Sequence, residues 1–179
     1  EGELVKVIAG LKRKKVNYAM YTTCPEPLFS RWIGELASAG LENLSCGFDL
    51  LPWLSTYEGD IMRKGEAALA GMKKAQGLGI REQHCVITVS QLNLKILPQV
   101  VEGLSERAIF AGFNFIHWAK NGGYDFFPPR EEIEGLCFGE KDKGLVVETM
   151  DEMIRMRKSG DYFMQFPVEY FEAAKSLGV

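Results

Sequence analysis

Four short apolar runs, each joined to an amphipathic helical pattern, constrain this chain more than any other feature. The clearest is LENLSCGFD at residues 41–49, where an apolar run at 44–48 ends in Asp49 between two helical patterns. A buried parallel strand reads this way, and the polar residue at its end lands at the mouth of an α/β sheet. The segment VITVSQLNLKILP answers it further along. Strand and helix alternating four times predict a parallel sheet with right-handed crossovers, an α/β fold. No short tandem repeat or low-complexity stretch interrupts that rhythm, so the βα unit is the only internal repetition.

In chain order, Leu4, Val7, Ile8 and Leu11 form one stripe of a first helix, and the basic run 12–15 suits its C-terminal end. That run has no interleaved aromatics, so it reads as a solvated helix end in preference to a phosphate patch. NYAMYTTC, residues 17–24, predicts the first strand. Pro25 and Pro27 end it and seed a helix carrying Leu28, Phe29, Trp32, Ile33 and Leu36, with Gly40 as its C′ residue. The second strand is expected at 43–49. A loop at 50–60 follows, in which Trp53 and Tyr57 either cover a ligand or form a packed lid. A helix at 64–76 buries Ala68, Met72 and Ala75 and ends around Gly77 and Gly79.

The third strand is expected at 83–89. Asn93 is placed as N-cap of a helix running towards Ser105, with Pro98 tolerable only near its first turn. The fourth strand is expected at 113–118. Residues 124–136 read as a cover segment stiffened by Pro128 and Pro129. A helix at 144–158 has Val147, Met150, Met153 and Ile154 on one side, a core row and not a cofactor box. A last helix, residues 168–177, starts after Pro167. The expected organisation is a partial sheet over 1–127 with a helical C-terminal extension of the same domain over 128–179.

Composition excludes several classes of function. The chain has 179 residues, 46% of them hydrophobic, a net charge of −3 and a pI near 5.5. Nothing there draws it to nucleic acid or to an anionic membrane. No apolar run approaches the ~20 residues of a membrane span. Cys24, Cys46, Cys85 and Cys137 are spread without CxxC pairs, so reduced thiols and a cytoplasmic setting are expected. The chain begins without Met and inside a helical pattern, which reads as a fragment of a longer protein.

Chemistry in parallel α/β folds gathers at the C-terminal ends of the strands. The expected tips carry Thr22 and Thr23, then Gly47 and Asp49, then Thr88, Ser90 and Asn93, then His117, Trp118 and Asn121. Hydroxyls, amides, one carboxylate and one imidazole suit a sugar, a nucleoside or a polar metabolite. A polyphosphate is a poor fit, because neither GxGxxG nor a Walker loop is present and Asp49 would repel it. Duller roles compete: Asp49 as a turn cap, His117 as a hydrogen-bonded core residue, the cysteines as apolar filler. A zinc site from His84, Cys85 and His117 lacks close-set ligands.

Taken together, these segments resemble the radical S-adenosylmethionine (radical SAM) enzymes. AGLENLSCGFD is similar to their "aGL-x-x-L-x-V-S-L-D" fourth strand, and YAMYTTC to their third. KGEAALAGMKKAQGLGI followed by HCVITVSQLNLKILPQVVEGLSE resembles the fourth helix, fifth strand and fifth helix, including Asn93. FAGFNFIHWAKNGGYDF resembles the sixth strand, and MDEMIRMRKSGDYFMQFPVEYFEAAKSLG the helical segment after the barrel.

The resemblance implies parallel (β/α) repeats forming part of a TIM-like partial barrel, its third to sixth units, with C-terminal helices. It implies S-adenosylmethionine at the strand ends: Thr23 near the cofactor, Asp49 near the ribose, Val89, Ser90 and Asn93 beside the adenosine, His117 and Trp118 bordering the adenine. Gly47 departs from the usual Ser, and Thr23 with Cys24 from the usual Asn-Gly. The C-x3-C-x2-C loop that holds the [4Fe-4S] cluster is absent from these residues, as is the glycine-rich turn that binds the methionine amine. This chain alone is therefore expected to lack catalysis and to need a missing N-terminal barrel half or self-association. Its substrate would be a small molecule or peptide. The alternative is a non-catalytic α/β module that binds a nucleoside or peptide, or a barrel half completed by a partner. A conventional (β/α)8 hydrolase or aldolase fragment lacks a Lys, Glu or metal-ligand pair at a strand tip.

Overall fold

The computed structural model describes residues 2–16, 18–22, 28–47, 60–115 and 137–176. Its centre is a four-stranded parallel sheet in the order β1-β2-β3-β4, with β1 Met20–Thr22, β2 Asn43–Gly47, β3 Glu82–Val89 and β4 Phe110–Phe115. Helix α1 (Gly2–Arg13) precedes β1. Helices α2 (Leu28–Ser38), α3 (Asp60–Gly77) and α4 (Leu97–Ser105) are the crossovers, and α5 (Lys143–Ser159) and α6 (Val168–Ser176) follow. The α/β alternation expected from the sequence is present. The chain divides into two compact units, Glu1–Val86 with Ala108–Phe110, and Ile87–Arg107 with Ala111–Val179.

In the first unit one device recurs at the helix ends. Gly40 takes φ +101° after α2, while Leu41 N–H donates to the Leu36 carbonyl and Gly40 N–H to that of Ala37, each at 2.9 Å. Gly79 repeats this after α3, with Ile80 donating to Ala75 and Gly79 to Gln76. This pair of bonds satisfies carbonyls that a helix end leaves orphaned, and glycine enters the left-handed region without a Cβ penalty. Leu36, Leu41, Ala75 and Ile80 are all buried, so each cap also turns the chain into the core on its way to a strand. Lys15 makes the same turn after α1 with a side chain in place, at φ 55°.

Within this unit β1 pairs with β2, and β2 with β3, both parallel; Tyr21 stands opposite Ser45, Ser45 opposite His84, and Cys46 opposite Cys85. Burial alternates along the strands as the pleat requires. Leu44, Cys46, Gln83 and Cys85 make a closed face, matched by the buried stripes of α2 (Phe29, Ile33, Leu36) and α3 (Ala68, Met72, Ala75). Tyr21, Ser45, His84 and Val86 stand on the opposite face, which is half open. Of the stripe expected on α1, Ile8 is buried, whereas Leu4 and Val7 are exposed. Val5 and Ala9 of α1 line a groove with Arg31, Gly34 and Glu35 of α2.

In the second unit α4 starts at Leu97 after a 3₁₀ turn, Leu94–Ile96, so Pro98 falls in the first helical turn, where its missing N–H costs nothing. β4 begins three residues earlier than expected: Ala111 and Phe113 alternate inward, and Gly112 is buried within the strand, where the sequence suggests punctuation. On α5 Met150, Met153 and Ile154 are buried as expected, together with Val146, Thr149 and Met156, whereas Val147 is exposed. Between α5 and α6 the chain returns to the sheet. Ala111 N–H donates to the Phe163 carbonyl at 2.8 Å and Gln165 N–H to the Ala111 carbonyl at 2.9 Å, giving a parallel bridge from Ala111 to Met164. Ser105 Oγ accepts from Phe163 N–H, and Tyr170 Oη donates to the Phe113 carbonyl at 2.7 Å. The Ala111 N–H and carbonyl and the Phe113 carbonyl thus find partners within the same chain, which shortens the run of β4 left open to strand pairing.

Candidate functional site

The C-terminal ends of the strands are where the sequence puts the chemistry. Thr23, Asp49, His117 and Trp118 lie outside the described residues, as do Cys24 and the aromatic loop residues Trp53 and Tyr57. Val89, Ser90 and Asn93 are described, and all three are buried.

Asn93 stands at the N-cap position of the 3₁₀ turn that leads into α4, but not of α4 itself. The residue at the N-cap of α4 is Ile96, and Asn93 makes no side-chain cap bond to the 3₁₀ turn it precedes. Its amide turns back to the strand: Oδ1 accepts from Ser90 N–H at 2.9 Å, and Nδ2 donates to the Thr88 carbonyl at 2.8 Å. Ser90 Oγ accepts from Leu92 N–H, and the Ser90 carbonyl accepts from both Asn93 and Leu94 N–H. The tip of β3 is a hydrogen-bonded knot whose side chains face inward. Thr88, one residue before the buried Val89, is the hydroxyl exposed there. Asn93 therefore shapes the rim by holding the main chain, and Thr88 is the side chain that reaches it.

At the end of β2 the sequence gives a glycine, and the structure shows what that glycine accommodates. A Cβ on Gly47 would overlap Tyr21 Oη and stand 3.4 Å from Tyr21 Cζ. Tyr21 is paired in register with Ser45 and leans along the strand towards Gly47. It is 62% exposed. A phenol hydroxyl is thus delivered over the last residue of β2 from the neighbouring strand. The signal for it in the sequence is a glycine ending an otherwise side-chain-bearing strand, a mark of close approach by another group.

His84 and Cys85, adjacent on β3, point to opposite faces, so they cannot share a metal ion. His84 stacks on Phe110 at 5.2 Å, and Cys85 is fully buried. Burial, then the neighbouring Cys46, pushes the Cys85 thiol far above its ordinary range. Cys46, Cys85 and Cys137 are outside any disulfide, and all three are buried. Among the described residues no three His, Cys, Asp or Glu side chains converge on a point. These residues do not fit a [4Fe-4S] cluster. A groove lined by Val5, Ala9, Arg31, Gly34, Glu35 and Ser38 lies between α1 and α2, away from the strand ends.

The described residues form an α/β fold with a four-stranded parallel sheet. The chain matches no protein-family model, no curated protein and no solved structure. None of the helices described is long and apolar enough to cross a membrane.

Proposed function

We propose that this chain is the S-adenosylmethionine-binding part of a radical SAM enzyme, its sheet forming units of a TIM-like partial barrel. The observation that carries this is the strand order. In a sheet ordered 1-2-3-4, crossovers of the usual right hand put every connecting helix on one face, as in barrels, whereas doubly wound sheets reverse direction and cover both. The buried face of Leu44, Cys46 and Cys85 against the half-open face of Tyr21, Ser45 and His84 supports a singly wound arrangement. The half-open face would be the lumen.

Thr88 and the main chain fixed by Asn93 would bind and orient the adenosine, with Asp49, Thr23, His117 and Trp118 as further contacts from the resemblance. A [4Fe-4S] cluster, if held by a polypeptide completing the barrel, would supply the electron for cleavage of S-adenosylmethionine, and none of the described residues would ligate it. The chain's own work is to hold the cofactor and exclude water from it. The thiols of Cys46, Cys85 and Cys137, outside any disulfide, favour a cytoplasmic setting.

Equilibrium dialysis of the chain against S-adenosylmethionine tests the binding half. Dissociation in the micromolar range, with no comparable uptake of ATP, is the expected result. Absence of binding at millimolar cofactor would reject the proposal. Anaerobic reconstitution with a polypeptide supplying the three-cysteine loop should then yield 5′-deoxyadenosine.

A further inference from the structure

We propose that α1 is a self-association surface, on which a second copy of this chain lays its own α1 running antiparallel. The inference goes beyond the proposed function and does not depend on it. Helix α1 is seated through Ile8, which is buried, and through Lys12, which pairs with Glu42, the residue before β2. Beside that seat runs a second row, Leu4, Val7 and Leu11, at the alternating three- and four-residue spacing of a helix–helix seam. Leu4 is 44% exposed and Val7 54%, and Leu11 is half-buried. Scattered apolar residues on a surface need no explanation, but a row of them along one helix marks an interaction surface.

The two ends of the row show what fits it. Glu3 opens it and Lys14 continues it, and the two lie about three helical turns apart on the flank of Val7. Lys14 is still on the helical course, because its N–H donates to the Gly10 carbonyl at 3.1 Å. Both charges are exposed, and neither has an ion-pair partner among the described residues. The order acid, three apolar residues, base is its own complement when reversed. An antiparallel copy therefore sets Leu4 against Leu11 of the second copy and Val7 beside its counterpart at the two-fold axis. It brings Glu3 to Lys14 of the second copy at both ends and opposes the two helix dipoles. A parallel copy would set Glu3 against Glu3 and Lys14 against Lys14, like charge on like. A helix of 12 residues offers less than the ~800 Å² per partner of a stable interface, so the dimer is weak and salt-sensitive.

Sedimentation equilibrium of the whole 179-residue chain, from about 2 to about 200 µM, tests this. In about 50 mM salt a dimer with a dissociation constant of about 10–50 µM is expected, weakening about three- to tenfold in about 500 mM salt. Val7→Asp puts two carboxylates at the axis and should leave monomer throughout. Its melting temperature should stay within about 2 °C of the wild type, because Val7 is outside the core. Glu3→Lys and Lys14→Glu should each weaken the dimer about five- to twentyfold, since each sets like charges at both ends, and the double reversal should restore it. A carbodiimide, which joins a carboxylate to an amine without a spacer, should link Glu3 to Lys14 between isotopically light and heavy copies. A chain that stays monomeric at about 200 µM overturns the inference, and so does a dimer that Val7→Asp leaves intact. A double reversal that fails to restore pairing overturns the antiparallel arrangement.

Discussion

Asn93 and Ser90 are tied by a hydrogen bond from the Ser90 backbone N–H to Asn93 Oδ1, 2.9 Å long and buried. The same amide grips the Thr88 carbonyl at 2.8 Å, so one side chain fixes both ends of the last turn of β3. Parallel strands run out of pairing partners at their ends, and an unpaired buried amide costs free energy comparable to a lost hydrogen bond. Here a side chain does what a neighbouring strand cannot.

Asn93→Ala should lower stability by about 2–4 kcal/mol, because it orphans a buried donor and an acceptor together. Asn93→Asp keeps the acceptor for Ser90 but turns a carboxylate towards the Thr88 carbonyl, so it should also destabilise. Hydrogen exchange at the Ser90 amide is the local readout. Unchanged protection in Asn93→Ala would show that the knot is held by something else.

Lys15 takes a left-handed conformation that Gly40 and Gly79 adopt without strain in equivalent caps. A side chain there costs about 1–2 kcal/mol, partly offset by the smaller unfolded-state entropy of a non-glycine residue. Lys15→Gly should accordingly raise stability by up to about 1 kcal/mol in urea denaturation, with an unchanged m-value. A loss of stability would mean that Lys15 contributes through its side chain more than the turn costs.

The caps were legible because glycine at a helix end has a local steric cause, visible at Gly40 and Gly79 without any tertiary knowledge. The parallel strands were legible for a related reason: a short apolar run between two amphipathic helical patterns, as at 44–48, is local, and the period-two burial of Leu44 and Cys46 appears only in the structure. The place of Asn93 before the helical turn was legible, but its bonding was not, because a polar residue before a helix has two outlets, forward to the helix N–H groups or back to the strand, and only the three-dimensional turn decides. Tyr21 escaped notice because its partner is a glycine on another strand, paired through a register that no local pattern states. The bridge from Ala111 to Met164 was invisible for the same reason. DYFMQF carries no strand signature, and its pairing with β4 joins residues far apart in the chain.

Cys46 and Cys85 face each other across β2 and β3 with no exposed surface. Burial raises the Cys85 thiol, so almost no thiolate is present at neutral pH, and the thiolate is the reactive form. In the native chain both should resist an aromatic disulfide reagent over hours, and both should label within minutes in denaturant. Rapid labelling of Cys85 in the native state, read by peptide mass, would contradict a closed sheet face.

Tyr170 offers a test of the second unit through pH. Its hydroxyl donates to the Phe113 carbonyl, and burial pushes its phenol above the ordinary value of 10.0. The folded state therefore holds this proton more tightly than the unfolded state. The resulting stability is complete below about pH 10 and is lost as pH rises through the raised folded value. Tyr18, raised in the same direction by burial and then by Glu42, adds to the same alkaline slope. Tyr170→Phe should cost about 1 kcal/mol at pH 8, where it leaves the Phe113 carbonyl without this donor. Above pH 10 the gap between variant and wild type should narrow, because the variant has no phenol to ionise on unfolding. Urea midpoints at pH 8, 10 and 11 measure both effects, and a gap that widens with pH would reverse the assigned direction of the shift.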